Sequence, residues 1–340
     1  MNGYQRIITA LKGEQPDTIP VMLHNFMMAA KEAGYSQSEY RSDPQKIANT
    51  YIQSVEKYQF DGILVDIDTV TLAEAVGVPV DFPENEPARS NKSCLNDLSE
   101  VDDLGVPEII KSERIQIWLE AVRILVGYFG QEILVRGNCD QAPFSLASMM
   151  RTPANWMMDL LDPDNQERVH RLLSYCLDAG QQFMRLMAGA GAHLLSNGDS
   201  PAGPEMISPE MYREFAKPYE TSMVETAKGL GLGYVLHICG DTGLILEDMV
   251  ETGADGIEID HKTDAVLARE ITKNRCSFIG NIDPSGVLAL GDQQTVAKKT
   301  KELLALFGTT PGFILNAGCA IPAETPPENI QTMIRTAREF

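Results

Sequence analysis

Three residues in the second half of the chain have the side-chain types of a metal site. His237 and Cys239 stand two positions apart at the end of the apolar run YVLHICG, and Cys319 follows a second apolar run, GFILNAG. Side chains two apart on a strand point to the same face of a sheet. Imidazole and thiolate are ligands of zinc, and three protein ligands with one open position is the arrangement of catalytic zinc. One interpretation of these residues is therefore a zinc site.

The other interpretation is that these cysteines only fill the core. The paired CxxC units that characterise zinc ribbons are absent, and free cysteine is often buried. The remaining cysteines are expected to be structural, and six cysteines in 340 residues do not suggest a disulfide framework. Spacing alone leaves both interpretations open.

Short apolar runs alternate with amphipathic helical patterns, which predicts an α/β fold with about eight strands between residues 18 and 318. No GxGxxG turn follows an early strand, so a TIM (β/α)8 barrel is favoured over a doubly wound open sheet. The residues beyond the roughly 250 of a typical barrel are assigned to an N-terminal helical extension and to a surface insertion at 81–112. We therefore expect residues 1–340 to form a single barrel domain. The segment 208–231 is predicted to be one helix, capped by Ser208.

Polar residues follow the predicted strands, at the end of a barrel where active sites lie. Asp260 is a candidate to fill the open metal position or to orient His237. The other candidates to line a pocket are Asp68, Asn138, Asp199, Glu258 and Asn281. Asn and Asp also end strands because they form turns, so a turn role stays open for each.

The composition narrows the classes of partner. A formal net charge of -20 with no basic stripe argues against nucleic acid and against anionic membrane surfaces. The N-terminal sequence has no basic segment followed by an apolar one, and no run approaches the roughly 20 apolar residues of a membrane span. We expect a cytoplasmic protein that acts on a small molecule or on a protein partner.

Several longer motifs carry a family resemblance. The segments LHICGD, ILEDMVETGADGIEID, IGNIDP and ILNAGCAIPAETPPENIQTMIRTARE resemble the uroporphyrinogen decarboxylase superfamily. The HxCG and GCxIP blocks are typical of its zinc-dependent branch of corrinoid methyltransferases, which includes the methylcobamide:coenzyme M enzymes. The resemblance extends over nearly the whole chain. It implies that His237, Cys239 and Cys319 are zinc ligands.

The resemblance also implies a function in one-carbon metabolism. It predicts a methyltransferase that moves a methyl group between a small methylated donor or thiol acceptor and the cobalt of a partner corrinoid (cobalamin-type) protein. This small corrinoid protein would dock transiently over the barrel. The sequence does not determine whether the chain forms a homodimer. The direction of transfer and the small molecule are not determined by the sequence.

Two alternatives remain beside this prediction. Asp68 matches the essential aspartate of the decarboxylases, where the coenzyme M enzymes are generally apolar, so a carboxy-lyase of porphyrin biosynthesis using Asp68 is the first alternative. However, the segment 23–35 contains no arginine, whereas the decarboxylases bind their polycarboxylate substrate with arginines there. The second alternative is a binding module in which zinc only ties strand ends together.

Overall fold

The computed structural model describes residues 1–340, and its central element is a barrel of eight parallel strands. The barrel order is β1-β2-β5-β6-β7-β8-β9-β10, and β3 and β4 form a separate antiparallel pair. The ten strands are β1 (Met22–Leu23), β2 (Gly62–Val65), β3 (Val80–Asp81), β4 (Arg89–Ser90), β5 (Leu134–Gln141), β6 (Leu194–Gly198), β7 (Gly233–Ile238), β8 (Gly256–Ile259), β9 (Ser277–Ile282) and β10 (Phe313–Ala317). The predicted barrel is confirmed.

Helices surround the barrel and connect its strands. They are α1 (Gly3–Leu11), α2 (Phe26–Glu32), α3 (Gln37–Ser42), α4 (Pro44–Tyr58), α5 (Thr71–Ala75), α6 (Glu113–Phe129), α7 (Pro143–Arg151), α8 (Pro153–Leu161), α9 (Gln166–Gly189), α10 (Pro209–Phe215), α11 (Lys217–Gly229), α12 (Leu246–Glu251), α13 (Ala265–Thr272), α14 (Gln293–Phe307) and α15 (Pro327–Arg338). None of them combines the length and the apolar character that a bilayer crossing requires.

The first and last strands meet and close the barrel. Val21 pairs in parallel with Leu315, and the Leu315 amide donates to the Pro20 carbonyl at 2.9 Å. Beyond the strands, the Ile321 amide donates to the His24 carbonyl at 2.8 Å. Closure brings the loop after β10, which carries Cys319, beside the end of β1.

Helix α1 covers the N-terminal end of the barrel. Its Ile7 and Ala10 are fully buried and pack against Met22, Leu134, Val235 and other inward-facing strand residues. Gly62 makes room for this contact, because a Cβ atom there would lie 2.4 Å from Ile7 Cδ1. The floor of the barrel is therefore apolar and closed, and only the opposite end can admit a ligand.

The segment predicted as one helix is two helices, so that prediction is wrong. Ser208 caps α10 as expected, because its side chain accepts a hydrogen bond from the Met211 amide. The chain leaves helical geometry at Ala216, with φ -115° and ψ -59°, and α11 begins at the next residue. Pro218 follows in the first turn of α11, where its missing N–H leaves no unpaired donor.

The segment 81–112 lies in the connection between β2 and α6, at the C-terminal end of the barrel. It contains β4 and short 3-10 turns at Leu98–Asp103 and Ile109–Lys111. Arg41 anchors it, since its guanidinium donates to the Glu86 carbonyl at 2.6 Å and to the Pro83 carbonyl at 3.1 Å. This segment brings Pro87 to the wall of the cavity described below.

Candidate metal centre

The structure brings His237, Cys239 and Cys319 together. The imidazole Nε2 of His237 lies 3.0 Å from Cys239 Sγ, which lies 3.2 Å from Cys319 Sγ. All three donor atoms lie within 4.8 Å of one another, and no further His, Cys, Asp or Glu joins the group. Zinc with bonds of about 2.0 to 2.3 Å holds its ligand atoms at separations of this order. The donor set and its spacing therefore fit a zinc ion with one position left for another ligand.

Backbone contacts fix the orientation of these donors. The Glu258 carbonyl lies 3.1 Å from His237 Nδ1, so Nδ1 is the donor and Nε2 is left to face the two sulfurs. The Cys239 amide donates to Ser200 Oγ at 3.2 Å. Gly318 lets the loop before Cys319 approach closely, because a Cβ there would lie 2.6 Å from the His261 amide nitrogen. Contacts within the barrel scaffold therefore hold the three donors in place.

The close packing of the three donors shifts their pKa values. The hydrogen bond from the Cys319 thiol, together with the charge of His237, lowers the pKa of Cys239 to about 3. Burial works against protonation of His237, but the adjacent Cys239 thiolate raises its pKa to about 9. The pKa of Cys319 is raised because its thiol is hydrogen bonded to Cys239 and is buried. These shifts favour a thiolate at Cys239, which is the state that zinc binds, and zinc would displace the proton that this thiolate holds on His237.

The three donors form part of the wall of a cavity of about 210 Å³ inside the mouth of the barrel. Strand periodicity explains how the wall is built. Arg136 and His237 stand two positions beyond Leu134 and Val235 of the apolar floor, so they face inward again and line the cavity. Phe26, Met27 and other apolar side chains complete the wall. The cavity can hold a small molecule next to the metal donors.

Charged groups in this cavity are arranged in pairs. Arg136 and Glu258 are each 1% exposed and form an ion pair across the barrel, and Glu258 also accepts from Asn316 Nδ2 at 2.8 Å. Burial opposes ionisation of Glu258, but the Arg136 guanidinium lowers its pKa. His24 Nε2 lies 2.8 Å from Asp66 Oδ2. Arg136, Glu258 and Asp66 therefore each have a polar partner within the protein.

The structure separates the predicted pocket residues into two groups. Asn138 and Glu258 line the cavity. Asn281 lines a different groove of about 600 Å³ beside the mouth, and its amide donates to the Asp260 carbonyl at 3.2 Å. Asp199 is fully buried behind the strands, where Oδ1 accepts from the Ser145 hydroxyl and amide at 2.6 and 2.8 Å. The geometry thus favours a ligand contact for the first two residues and structural contacts for the other two.

Asp68, predicted to be catalytic, does not line the cavity. Its Oδ1 accepts from the amides of Val70 and Thr71, each at 2.9 Å, and its Oδ2 forms an ion pair with Arg114. Both carboxylate oxygens are therefore occupied at the start of α5. Asp66, two residues earlier, is the carboxylate that faces the cavity.

Asp260, the other predicted catalytic residue, also lies outside the cavity wall. It accepts from the Gly240 amide at 3.2 Å and pairs with His261 Nδ1 at 2.6 Å. The backbone carbonyl of Glu258, not the Asp260 carboxylate, makes the contact with His237 Nδ1. Asp260 instead holds the loop that follows Cys239.

Sequence reasoning missed Arg136, His24 and Asp66 as cavity residues. Arg136 could have been predicted from the sequence. A lone arginine inside an apolar strand must be buried and therefore needs an acidic partner. His24 and Asp66 end two predicted strands that are neighbours in a barrel. Their contact could have been inferred from that adjacency, but their direction could not be read from strands that are buried on both faces.

Comparison with known proteins places the chain among relatives over its full length. A family model described as uroporphyrinogen decarboxylase (URO-D) matches residues 2–340. A methylcobamide:CoM methyltransferase, MtbA, of Methanosarcina acetivorans is 28% identical over 340 residues, which is 99% of this chain and 97% of the relative. A uroporphyrinogen decarboxylase of Trichodesmium erythraeum is also 28% identical, over 359 residues, covering 98% of this chain and 95% of the relative. The overall sequence identity is therefore the same for these two relatives and does not distinguish their two activities.

A solved structure supports the fold. A methyltransferase from Methanosarcina mazei superposes with a TM-score of 0.91 and covers 100% of this chain and 99% of its own. The sequence identity in this superposition is 23%, so the likeness is evidence for the barrel and its connections.

Proposed function

Because the chain belongs to the uroporphyrinogen decarboxylase family and presents a His/Cys/Cys donor set in its cavity, we propose that it is a zinc-dependent methyltransferase. It moves a methyl group between the cobalt of a partner corrinoid protein and a heteroatom of a small molecule. The observation that carries this proposal is the convergence of His237, Cys239 and Cys319 within 4.8 Å at the cavity wall.

The chain's own residues prepare the site for such a transfer. When bound, zinc supplies Lewis acidity that lowers the pKa of a thiol or withdraws charge from the heteroatom of a methylated donor. The Glu258 carbonyl keeps His237 in the tautomer that offers Nε2. Phe26, Met27 and Leu64 give the cavity an apolar wall. Such a wall excludes water, which would otherwise solvate a nucleophile and slow its attack.

The size of the cavity supports a separate corrinoid protein. A volume of about 210 Å³ accommodates a small substrate but not a corrin macrocycle. The cobalt must therefore reach the substrate from outside, through the open end of the barrel. Relatives such as MtbA are named as acting on methylcobamide and CoM, which agrees with this arrangement.

The decarboxylase alternative has less support from the cavity. A polycarboxylate substrate needs several free cations, but the cavity contains one guanidinium, Arg136, and it is paired with Glu258. Asp66 and Asp140 add further carboxyl groups to the wall. Asp68, which would do the chemistry, is neutralised by Arg114. A polyanion would therefore meet a largely balanced or acidic surface.

A purely structural zinc is also less well supported. Structural zinc sites are closed by four protein ligands, whereas this group has three and lies at a cavity. The six cysteines are all free thiols, which suits the reducing cytoplasm where we place the protein.

Substitution of Cys239 tests the proposal. Methyl transfer from methylcobalamin to a panel of thiols, including coenzyme M, is followed through the cobalt absorption spectrum. Cys239→Ser should lose zinc and activity while its melting temperature stays nearly that of the wild type, because the barrel is preformed. Cys276→Ser, at the opposite end of the barrel, should keep both. An active zinc-free Cys239→Ser protein would contradict the proposal, and a Cys239→Ser protein that unfolds would favour structural zinc.

A further inference from the structure

His24 and Asp66 form a histidine–carboxylate pair that faces the cavity. They lie just beyond β1 and β2, which are neighbouring strands, and both line the cavity. His24 Nε2 lies 2.8 Å from Asp66 Oδ2, and the two side chains are 12% and 2% exposed. Neither residue makes a hydrogen bond with His237, Cys239 or Cys319. The pair is therefore a second functional group in the same cavity as the metal donors.

The scaffold holds both members of the pair in place. Tyr40 and Tyr51 donate their hydroxyls to the Asp66 carbonyl at 2.5 and 3.1 Å. His24 donates its amide to Asn316 Oδ1 at 3.3 Å, and its ring stacks on Phe26 with centroids 5.5 Å apart. A pair with so little freedom is preorganised, as a group that acts on a bound substrate must be.

The protonation pattern of the pair leaves one nitrogen free. A carboxylate only accepts hydrogen bonds, so His24 Nε2 carries the hydrogen that Asp66 binds. In the neutral imidazole Nδ1 then has its lone pair, and Nδ1 makes no hydrogen bond with the protein. Asp66 Oδ1 is buried and also has no partner. A base oriented by a third group in this way is the pattern of a proton acceptor.

The other titratable groups of the cavity are already engaged. These groups are Arg136, Asp140, His237, Cys239, Glu258 and Cys319. Arg136 and Glu258 pair with each other, and three of the rest are the metal donors. Asp140 accepts from the Leu72 amide at 2.7 Å, and burial together with the Asp68 charge raises its pKa well above the usual range. The pair of His24 and Asp66 is left to receive a proton, and His24 offers the ring nitrogen that has no partner in the protein.

We propose that His24 is the proton-transferring residue of the methyl transfer and that Asp66 positions it. The inference rests on the proposed function. When the sulfur of a thiol attacks the methyl group of methylcob(III)amide, the S–C bond forms and the C–Co bond breaks. The electron pair of the C–Co bond stays on cobalt, which becomes cob(I)amide, and the S–H proton passes to His24 Nδ1. In the reverse direction His24 returns this proton to the sulfur.

The test compares two thiols in His24→Gln. The zinc-loaded protein is assayed with methylcobalamin and either an alkyl thiol or an aromatic thiol that is already ionised at neutral pH. His24→Gln should slow the alkyl thiol on the order of 100-fold, the usual size of a general-base effect, and the aromatic thiol far less. The rate of His24→Gln with the alkyl thiol should keep rising at high pH, because the thiol then loses its proton to the solvent and needs no base from the protein. His170→Gln, on the outer helix α9, should match the wild type.

A proton count gives a readout that does not depend on methyl transfer. Binding of the alkyl thiol is measured by calorimetry in two buffers of different ionisation enthalpy. The wild type should retain the thiol proton on His24, whereas His24→Gln should release about one proton to the buffer. Asp66→Asn disturbs only the orientation of His24, so the number of protons that it releases should lie between those of the wild type and His24→Gln. This variant replaces His24→Gln in the test if His24→Gln does not fold.

The outcomes separate this inference from the proposed function. Equal losses for both thiols in His24→Gln, or equal proton release in wild type and variant, would overturn the role of His24 while the methyltransferase stands. If the wild type binds the thiol and retains the thiol proton but transfers no methyl group, the proposed function is overturned. The role of His24 and Asp66 as a proton-accepting pair would then still stand. A wild type that neither binds thiol nor moves a methyl group to or from cobalt would overturn both.

Discussion

At the scale of single residues, the ion pair of Arg136 and Glu258 shows how the cavity tolerates charge. Both side chains are 1% exposed, and Asn316 satisfies the second oxygen of the carboxylate. Two of the guanidinium nitrogens, Nε and Nη1, have no hydrogen-bond partner in the protein. Loss of one member of such a pair leaves a buried charge without compensation, which is more costly than loss of both.

We therefore expect Glu258→Gln to destabilise the protein by about 3 kcal/mol. Urea unfolding measures this change. The control is Glu247→Gln, which removes an ion pair with Arg275 whose partners are 38% and 56% exposed and should cost less than about 1 kcal/mol. Similar losses of unfolding free energy in the two variants would show that the buried charge of Arg136 does not need Glu258 for its stabilisation.

Asp199 and Glu220 form a second buried pair of a different kind. The two carboxyl groups are fully buried and interact electrostatically, and Tyr212 donates its hydroxyl to Glu220. Burial raises the pKa of Asp199 to about 6 and that of Glu220 well above its ordinary value. Because both values are higher in the folded than in the unfolded chain, the pair stabilises the fold at low pH and loses that contribution as pH rises.

Glu220→Gln should weaken this pH dependence, because glutamine stays neutral in both states. Between pH 5 and 8, the free energy of unfolding should fall less in the variant than in the wild type, by roughly 1.4 kcal/mol for each pH unit over which Glu220 holds its proton. Glu225→Gln, exposed on the same helix, should keep the wild-type slope. Identical slopes in all three proteins would mean that Glu220 is ionised in the fold.

The choice between Asp66 and Asp68 shows a limit of sequence reasoning at this scale. Both residues stand in the run DGILVDIDT, and both lie on the same side of an alternating pattern. What separates them is the end of β2 at Val65, after which the chain turns and Asp68 accepts hydrogen bonds from the Val70 and Thr71 amides at the start of α5. The position of that turn depends on tertiary contacts of Tyr40 and Tyr51, which the local sequence does not contain.

At the scale of elements, α1 is a lid on the closed end of the barrel. The residues beyond the length of a typical barrel predicted a helical extension here, but the place of α1 in the fold comes from the small residue Gly62 and the apolar inward residues of six strands. The metal donors lie at the opposite end, after β7 and β10. The helix should therefore contribute to stability and leave the chemistry unaffected.

Ile7→Ala tests this division. Truncation of a fully buried isoleucine should lower the free energy of unfolding by about 2 to 5 kcal/mol. The specific rate of methyl transfer by the folded protein should stay at the wild-type value. Ile8→Ala, which truncates the neighbouring and only partly buried side chain, should cost less. A large loss of activity in folded Ile7→Ala would show that the two ends of the barrel are coupled.

At the scale of the whole molecule, the sequence was most informative where local patterns repeat. All eight predicted strands are barrel strands, because turn residues and helices bound each apolar run. The metal donors could be grouped because strand ends in a parallel barrel share one mouth. The break at Ala216 and the paired charges of the interior could not be derived, since they depend on contacts between distant segments. The division of the chain into one barrel domain with 81–112 as a surface insertion stays a prediction.

The central claim is that one zinc ion, held by His237, Cys239 and Cys319, is required for methyl transfer. The most direct measurement is a titration of chelator-treated wild-type protein with zinc, in which the bound metal and the rate of methyl transfer from methylcobalamin to a thiol are measured together. The rate should rise in proportion to bound zinc and level off at about one ion per chain, with little change in melting temperature. A chelated protein that contains less than about a tenth of an ion per chain and keeps the full rate would contradict the account.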